Sequence, residues 1–234
     1  MAIQILQGLI EKIPARQTNT NKNIYQNGDR YQLNLKILEN TPKLETNRLL
    51  LRPFTEKDLS DFFLIMSDQE ANRFLPWFPP ETYEQARDFL MQNYLSRYHL
   101  PFSYHYAICL QSDNLPIGYL NISEDDSHDL GYGLRKEFWG QGIAAEACKA
   151  VVHRLKEAGF PYITATHDIK NPGSGKVMKK IGMSYQYSYE EDWQPKNQLV
   201  TFRMYQLNLD GNPTRVYLKY WNEHPNHFIE NISV

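Results

Sequence analysis

Cysteine is scarce in this sequence: Cys109 and Cys148 are the only 2 in 234 residues. That is too few for a disulfide framework or a cysteine-based zinc site. Long apolar runs are missing as well, since no stretch approaches the roughly 18 residues of a membrane span. The N-terminal MAIQILQGLIEKIPARQ has no basic segment ahead of its apolar patches, so a secretory signal is not expected. Nor is there an excess of one charge. The 25 Lys and Arg stand against 27 Asp and Glu, a formal charge of −2, without the basic surplus that nucleic acid or anionic lipid calls for. A soluble cytoplasmic protein is the expectation, and the Asn-x-Ser sequences at Asn121 and Asn231 then read as chance matches to a glycosylation acceptor. Rings are abundant: 16 Tyr, 11 Phe and 4 Trp, with 41% hydrophobic residues, suit a sizeable core rather than a disordered coil.

At about 150 residues per domain the length predicts one domain with a surplus. Residues 1–43 read as an N-terminal extension. Ile3, Ile5, Leu6, Leu9, Ile10 and Ile13 form one side of a short amphipathic helix closed by Pro14, followed by the polar QTNTNKNIYQNGD. It is either a loose extension or a packing arm for a second subunit. Residues 44–209 read as the main domain. RLLLRPF (48–54) is a strand stopped by Pro53, and Thr55 and Asp58 form a capping box for a helix carrying Leu59, Phe62, Phe63 and Met66. The prolines of FLPWFPP (74–80) exclude a helix interior, and a second helix is expected over 82–97. Strands at 104–110, 116–122 and 129–134 form a hairpin meander. A helix over 142–158, a strand at 162–166, a helix over 174–181 and strands at 184–190 and 198–208 complete the domain. The strand–helix–strand order predicts a parallel pair with a right-handed crossover. The fold class is therefore α/β (α+β), a mixed, mostly antiparallel sheet flanked by helices. Residues 210–234 form a tail without an assigned role.

The most informative stretch is Trp139-Gly140-Gln141-Gly142-Ile143-Ala144-Ala145, between a strand and a long helix. Open amides at a helix N-terminus, backed by the macrodipole, bind phosphate or pyrophosphate. A dinucleotide fingerprint, with Asp168 as ribose partner, fits poorly because five residues (135–139) separate the strand end from Gly140. Gly173-Ser174-Gly175-Lys176 is not a P-loop either: Val177 stands where Ser or Thr is needed, and Lys170 where the first glycine is needed.

Taken together, the two loops carry a family resemblance. GYGLRKEFWGQGIAAEA (131–147) resembles the acetyl-CoA loop of the GNAT superfamily of N-acetyltransferases. Asn171-Pro-Gly-Ser174 followed by Lys180-Ile-Gly182-Met183 is similar to that family's second segment. The opening Leu44-Glu-Thr46-Asn-Arg48-Leu-Leu-Leu-Arg52 is similar to the branch of ribosomal-protein N-terminal (RimJ/RimL-like) acetyltransferases. The resemblance spans about 44–209 and implies a parallel strand pair at the CoA site. It implies that amides around Gly140, Gln141, Gly142, Ile143 and Ala144 bind the CoA pyrophosphate, with the aromatic Trp139 where the superfamily often has Arg or Gln. Tyr132, Gly133 and Leu134 would pair with the pantetheine arm, Asn171 would contact its amides, and Lys176 would either approach the phosphates or remain a solvated helix residue. Many members carry a tyrosine as general acid where this chain has Met178. Ser174 is the substitute that the branch offers, and helix capping is its other reading.

The implied reaction is direct transfer from acetyl-CoA, as co-substrate, to an amine, without a metal. An α-amine has a pKa near 8, so about one in ten is neutral at pH 7, whereas a lysine amine costs roughly 4–5 kcal/mol to deprotonate. Candidate bases are Glu124 first, then Glu190, Glu191 and Asp192, all with a reading as solvated charges. The scattered histidines do not build a metal site, and Trp77-Phe78-Pro79-Pro80 either borders the acceptor cleft or packs in the core. The expected acceptor is a protein or peptide N-terminal amine. The alternatives are a small-molecule amine, or a non-catalytic CoA-binding module. No nucleic acid or membrane partner is expected, and the chain is expected to be a monomer or homodimer.

Overall fold

The computed structural model describes residues 39–100 and 103–232. The helix expected within residues 3–13 and most of the expected arm lie outside the described residues. Strands β1 (Leu44–Glu45), β2 (Leu49–Arg52), β3 (His105–Leu110), β4 (Pro116–Ile122) and β5 (Leu130–Leu134) form one antiparallel sheet in chain order. Strands β6 (Tyr162–Asp168), β7 (Ser184–Trp193), β8 (Gln198–Asn208) and β9 (His227–Phe228) form a second, in the order β6-β8-β7-β9. The helices are α1 (Leu59–Ser67), α2 (Tyr83–Asn93), α3 (Ile143–Glu157), α4 (Pro172–Lys180) and the short α5 (Lys219–Glu223).

The period of two along β3 explains how the first sheet is covered on both faces. Tyr106 and Ile108 join the core under α3, where Ala147, Cys148, Val151 and Leu155 are fully buried. Ala107 and Cys109 join a second core with Phe62, Ile65 and Met66 of α1 and Leu90 of α2. Burying such side chains contributes about 1.5–3 kcal/mol each. The capping box expected of Thr55 is present on a 3-10 turn (Glu56–Asp58) that leads into α1, and it is closed by Asp58. Its carboxylate accepts from Thr55 N (2.7 Å) and Thr55 Oγ1 (3.0 Å), and is gripped by both terminal nitrogens of Arg52 at 2.8 Å. The region expected as one helix over 82–97 is α2 plus a 3-10 turn at Leu95–His99.

The β5–α3–β6 unit has the expected parallel sense, but its pairing is confined to one bridge, Asp129 with Thr164. Beyond it β5 stays with β4, from Ile122↔Leu130 to Gly118↔Leu134, while β6 stays with β8 from Tyr162↔Asn208 to Asp168↔Phe202. Each strand is fully paired on its other edge, so the two sheets splay from that bridge and leave a wedge.

The expected tail is built into the second sheet. Tyr187 donates its hydroxyl to Tyr217 O (2.7 Å), Tyr217 donates to Asp126 Oδ1 (2.9 Å), and β9 pairs with β7. Glu230 receives Arg203 Nε at 3.0 Å. At the other end Thr41 is buried and donates to Ser103 O (3.1 Å), so the packed region begins a few residues before 44.

Candidate active site

A cleft of about 610 Å³ occupies the wedge. Its β5 wall is explained by strand alternation. Arg135 N bonds Ile117 O and Asp129 O accepts from Ser123 N, both at 2.9 Å, so the odd positions of β5 point to β4. The main-chain groups of Tyr132 and Leu134 therefore face the wedge. The Leu134 carbonyl is already taken by the Trp139 indole, whose Nε1 donates to it at 2.9 Å. That leaves the Tyr132 N–H and C=O and the Leu134 N–H for an extended ligand.

Next along the cleft is the N-terminus of α3. Gly140 (φ +73°) and Gly142 (φ +76°) are left-handed, the conformation that glycine adopts without strain. Glu146 N is the amide that starts the helix ladder, on Gly142 O at 3.1 Å, so the amides just before it are open. Glu146 itself is an acid in the first turn, where it would repel a phosphate. Arg48 and Thr46 neutralise and hold it: Arg48 Nε reaches Oε2 at 2.7 Å, Thr46 Oγ1 reaches Oε1 at 2.6 Å, and Arg48 also donates to Gln141 O at 3.1 Å. Burial works to raise the Glu146 carboxyl, but these hydrogen bonds outweigh it and hold the group below its ordinary value. The Thr46-x-Arg48 and Gly142…Glu146 motifs, far apart in sequence, thus form one structure. Lys180 adds charge here, since a Cβ added at Gly142 would stand 3.5 Å from its Nζ. Arg73, Lys170 and Lys176 also line the cleft, so its anion affinity rests on side chains as well as amides.

The third wall is α4. Ser174 is not its cap: the helix begins two residues earlier, with Pro172 at its first position, and Asn171 Oδ1 accepts from Ser174 N at 3.3 Å. Proline suits that position because its missing N–H would have had no partner there. The Ser174 hydroxyl is instead 2.8 Å from Tyr132 Oη, which also donates to Ser174 O at 2.9 Å. Burial pushes the Tyr132 phenol up, which keeps it neutral.

The structure thus brings Tyr132, Gly133, Leu134, Gly140, Gly142, Ile143, Ala144, Asn171, Ser174 and Lys176 to one cleft. Gln141 turns away, donating to Glu137 O at 2.8 Å. Glu124 does not line the cleft; it pairs with Arg97 at 3.2 Å, because it lies beyond β4 at the end away from the Gly118–Leu134 pairing. Glu190, Glu191 and Asp192 lie outside the cleft too, with Glu190 bonded to Asn226. Trp77 packs on Phe89 in the α1–α2 core, and the rim is formed instead by Arg73 and Phe74, which no motif marks in the sequence. Burial pushes the Cys109 thiol up to about 12 and raises Cys148 further, so neither is a nucleophile at neutral pH.

The profile of the acetyltransferase (GNAT) domain family matches residues 48–184, and the chain belongs to that family. It is an acetyltransferase. Among curated proteins it is similar to the uncharacterized N-acetyltransferase YnaD of Bacillus subtilis, 27% identical over 144 residues, which are 60% of this chain and 81% of that protein. Among solved structures it resembles a GNAT-family acetyltransferase from Bacillus anthracis (TM-score 0.63, 23% identity, 72% of this chain and 99% of that one). It also resembles RimL, a ribosomal L7/L12 alpha-N-protein acetyltransferase, in complex with coenzyme A (TM-score 0.64, 18% identity, 73% of this chain and 100% of that one). The mixed α/β architecture, antiparallel sheets flanked by helices, is that of these structures.

Proposed function

We propose that this acetyltransferase belongs with the RimJ/RimL branch and moves the acetyl group of acetyl-CoA to the α-amine of a protein or peptide N-terminus, in the cytoplasm. The observation that carries the reading is the convergence of three walls on one cleft: free main-chain groups of Tyr132 and Leu134, open amides with Lys180 at α3, and the Tyr132–Ser174 hydroxyl pair at α4. These residues fit acetyl-CoA. The amides at Gly142–Ala144, with Lys176 and Lys180, suit its phosphates, and the β5 edge with Asn171 suits the amides of its pantetheine arm. Bound acetyl-CoA supplies a thioester carbonyl and a thiolate leaving group. Ser174 hands a proton to the departing sulfur, and Tyr132, bonded to the same hydroxyl, orients it. The likeness to RimL, a ribosomal L7/L12 alpha-N-protein acetyltransferase, supports an α-amine acceptor.

One observation favours a small amine as the second reading. Lys196, in the β7–β8 turn, donates to Arg73 O (3.0 Å) and to its neighbour Asn72 O (3.4 Å), which ties that turn to the Arg73 side of the cleft, and a rim fixed in this way suits a slender acceptor. Thiol release from acetyl-CoA separates the readings. The expected result is turnover with peptides bearing a free N-terminal Ser or Ala, and none with the same peptides Nα-blocked and carrying one lysine. Turnover with spermidine alone would select the small amine. CoA binding without any turnover would leave only a binding module.

A further inference from the structure

The cleft is lined from both faces of the first sheet. Ala144 and Ala145 of α3, with Val177 of α4, pack on the face of Tyr106 and Ile108. Arg73 and Phe74 belong to the connection between α1 and α2, where the adjoining Leu75 and Trp77 pack with Ala107 and Cys109 on the opposite face. Acetyl-CoA, with its phosphates at the α3 amides, takes the first face. An acceptor that meets the thioester therefore comes from the second, past Arg73.

The charges on that rim are one-sided. Glu70 is the one carboxylate among the described residues that line the cleft, and Lys136 binds it. Arg73 is the one arginine there, and among the described residues no carboxylate lies against its guanidinium. The other described arginines, apart from Arg87 on the exposed side of α2, all pair with acids. What Arg73 does have is the Phe74 ring, whose centroid is 4.3 Å from the guanidinium carbon. Stacking on a ring holds the guanidinium plane and leaves the N–H edge open, the fork that meets a carboxylate with two bonds.

The backbone beneath this side chain is held on both sides. Asn72 is buried and donates to Ile65 O (2.9 Å) and Asp68 O (2.8 Å), and Asp68 Oδ1 accepts from Ala71 N at 3.0 Å. Lys196 donates to Arg73 O at 3.0 Å, which brings a second positive charge to the rim, bound only to carbonyls among the described residues. A site ordered before its ligand arrives gives up little freedom on binding it.

Resting on the peptide N-terminus reading above, we infer that Arg73 reads a carboxylate of the acceptor: the preferred substrate is a peptide whose free N-terminal residue is followed within a few positions by Asp or Glu. The α-amine enters the wedge toward the Tyr132–Ser174 pair, while the acidic side chain stays at the rim in the guanidinium fork, with Lys196 beside it. A basic acceptor meets two positive charges there and no free acid. The same rim disfavours a polyamine, whose second ammonium has no partner among the described residues of the cleft.

The test uses peptides with a free N-terminal Ser, otherwise neutral, that carry Glu, Gln or Lys at position 2, 3 or 4, assayed by thiol release at saturating acetyl-CoA. At one or more of these positions Glu should exceed Gln by about five- to tenfold in kcat/KM, mainly through KM, with Lys below Gln. Raising the ionic strength should shrink that advantage. Arg73→Ala should remove it, and Arg73→Glu should reverse the order so that the Lys peptide leads. Arg73 is exposed, so its variants fold as the wild type does. The acetyl-CoA Kd of Arg73→Ala, from calorimetry, should match the wild type, because the cofactor lies on the other face. Equal kcat/KM for Glu and Gln at all three positions, or a Glu preference that survives Arg73→Ala, would overturn the inference alone. So would a weaker acetyl-CoA Kd in Arg73→Ala with the peptide preference unchanged. Acetyl-CoA binding without turnover of any peptide, or turnover confined to spermidine or free glutamate, would overturn the peptide N-terminus reading, and this inference with it.

Discussion

Tyr132 Oη lies 2.8 Å from Ser174 Oγ and 2.9 Å from Ser174 O. The two hydroxyls carry two protons between them: with the Tyr132 proton directed at Ser174 O and Oγ, the Ser174 proton is free for the cleft, whereas donation from Ser174 to Tyr132 would occupy it. Ser174→Ala should therefore lower kcat by about 10²-fold, in the range of general acid catalysis, with the acetyl-CoA Kd unchanged. Tyr132→Phe should lower kcat by a smaller factor, about tenfold, by removing the orienting bond. Because Asn171 holds the cap, Ser174→Ala should leave Tm within a degree or two of the wild type; a large drop would return Ser174 to a structural role.

Gly142→Glu should abolish CoA binding in calorimetry. The new side chain would have to adopt φ +76° beside Lys180 Nζ, placing a carboxylate where the open amides face the cleft. The left-handed backbone adds roughly 1–2 kcal/mol of destabilisation, visible as a lower Tm. Unchanged affinity would refute the loop assignment.

Lys180→Ala should weaken CoA binding by about tenfold, or about 1.4 kcal/mol, and flatten its dependence on salt, because a point charge near a phosphate is screened. Titrations at low and high ionic strength test it. Lys180 follows Lys176 by one turn of α4 and lines the same cleft, a relation carried by helical spacing, whereas its approach to Gly142 is a tertiary contact.

Arg48→Ala should weaken CoA binding more than Arg48→Ala combined with Glu146→Gln. In the single variant the Glu146 carboxylate stays at the N-terminus of α3 without its partner and opposes a phosphate; in the double variant that charge is gone. Equal affinities would show that Arg48 acts only by shaping the loop.

Glu230→Gln should lower Tm at neutral pH, by an amount equivalent to about 1 kcal/mol for a partly exposed pair. Arg203, chiefly through its hydrogen bonds, holds the Glu230 carboxyl below its ordinary value of 4.5. Its contribution is therefore present above that value and is lost as pH falls through the lowered one. The Tm difference between wild type and variant should close on acidification, and a gap that persists in strong acid would rule out the ionic origin.

The elements were legible because each is written in local periodicity. The short apolar run HYAICL bounded by turn residues, and the stripe of Ile143, Ala147, Val151 and Leu155, need no distant partner to be read. The anion loop was legible for the same reason, since left-handed glycines ahead of a helix make a local feature. Even there, one local signal misled: Ser174 resembled a cap, while Asn171 followed by Pro172 carried the stronger one.

The near-absence of cysteine excluded a disulfide scaffold, the balance of charge gave no reason to expect a broad basic surface, and periodicity with two short motifs determined the strands, helices and phosphate loop. Only the tertiary structure decided that the parallel pair ends after Asp129 and Thr164, that Arg48 neutralises Glu146, and that Tyr132 meets Ser174. It also decided that Glu124 stands apart from the cleft. Each of these depends on where two strands part or two distant residues meet. Such relations follow from the packing of whole sheets, and no local pattern of side chains encodes them.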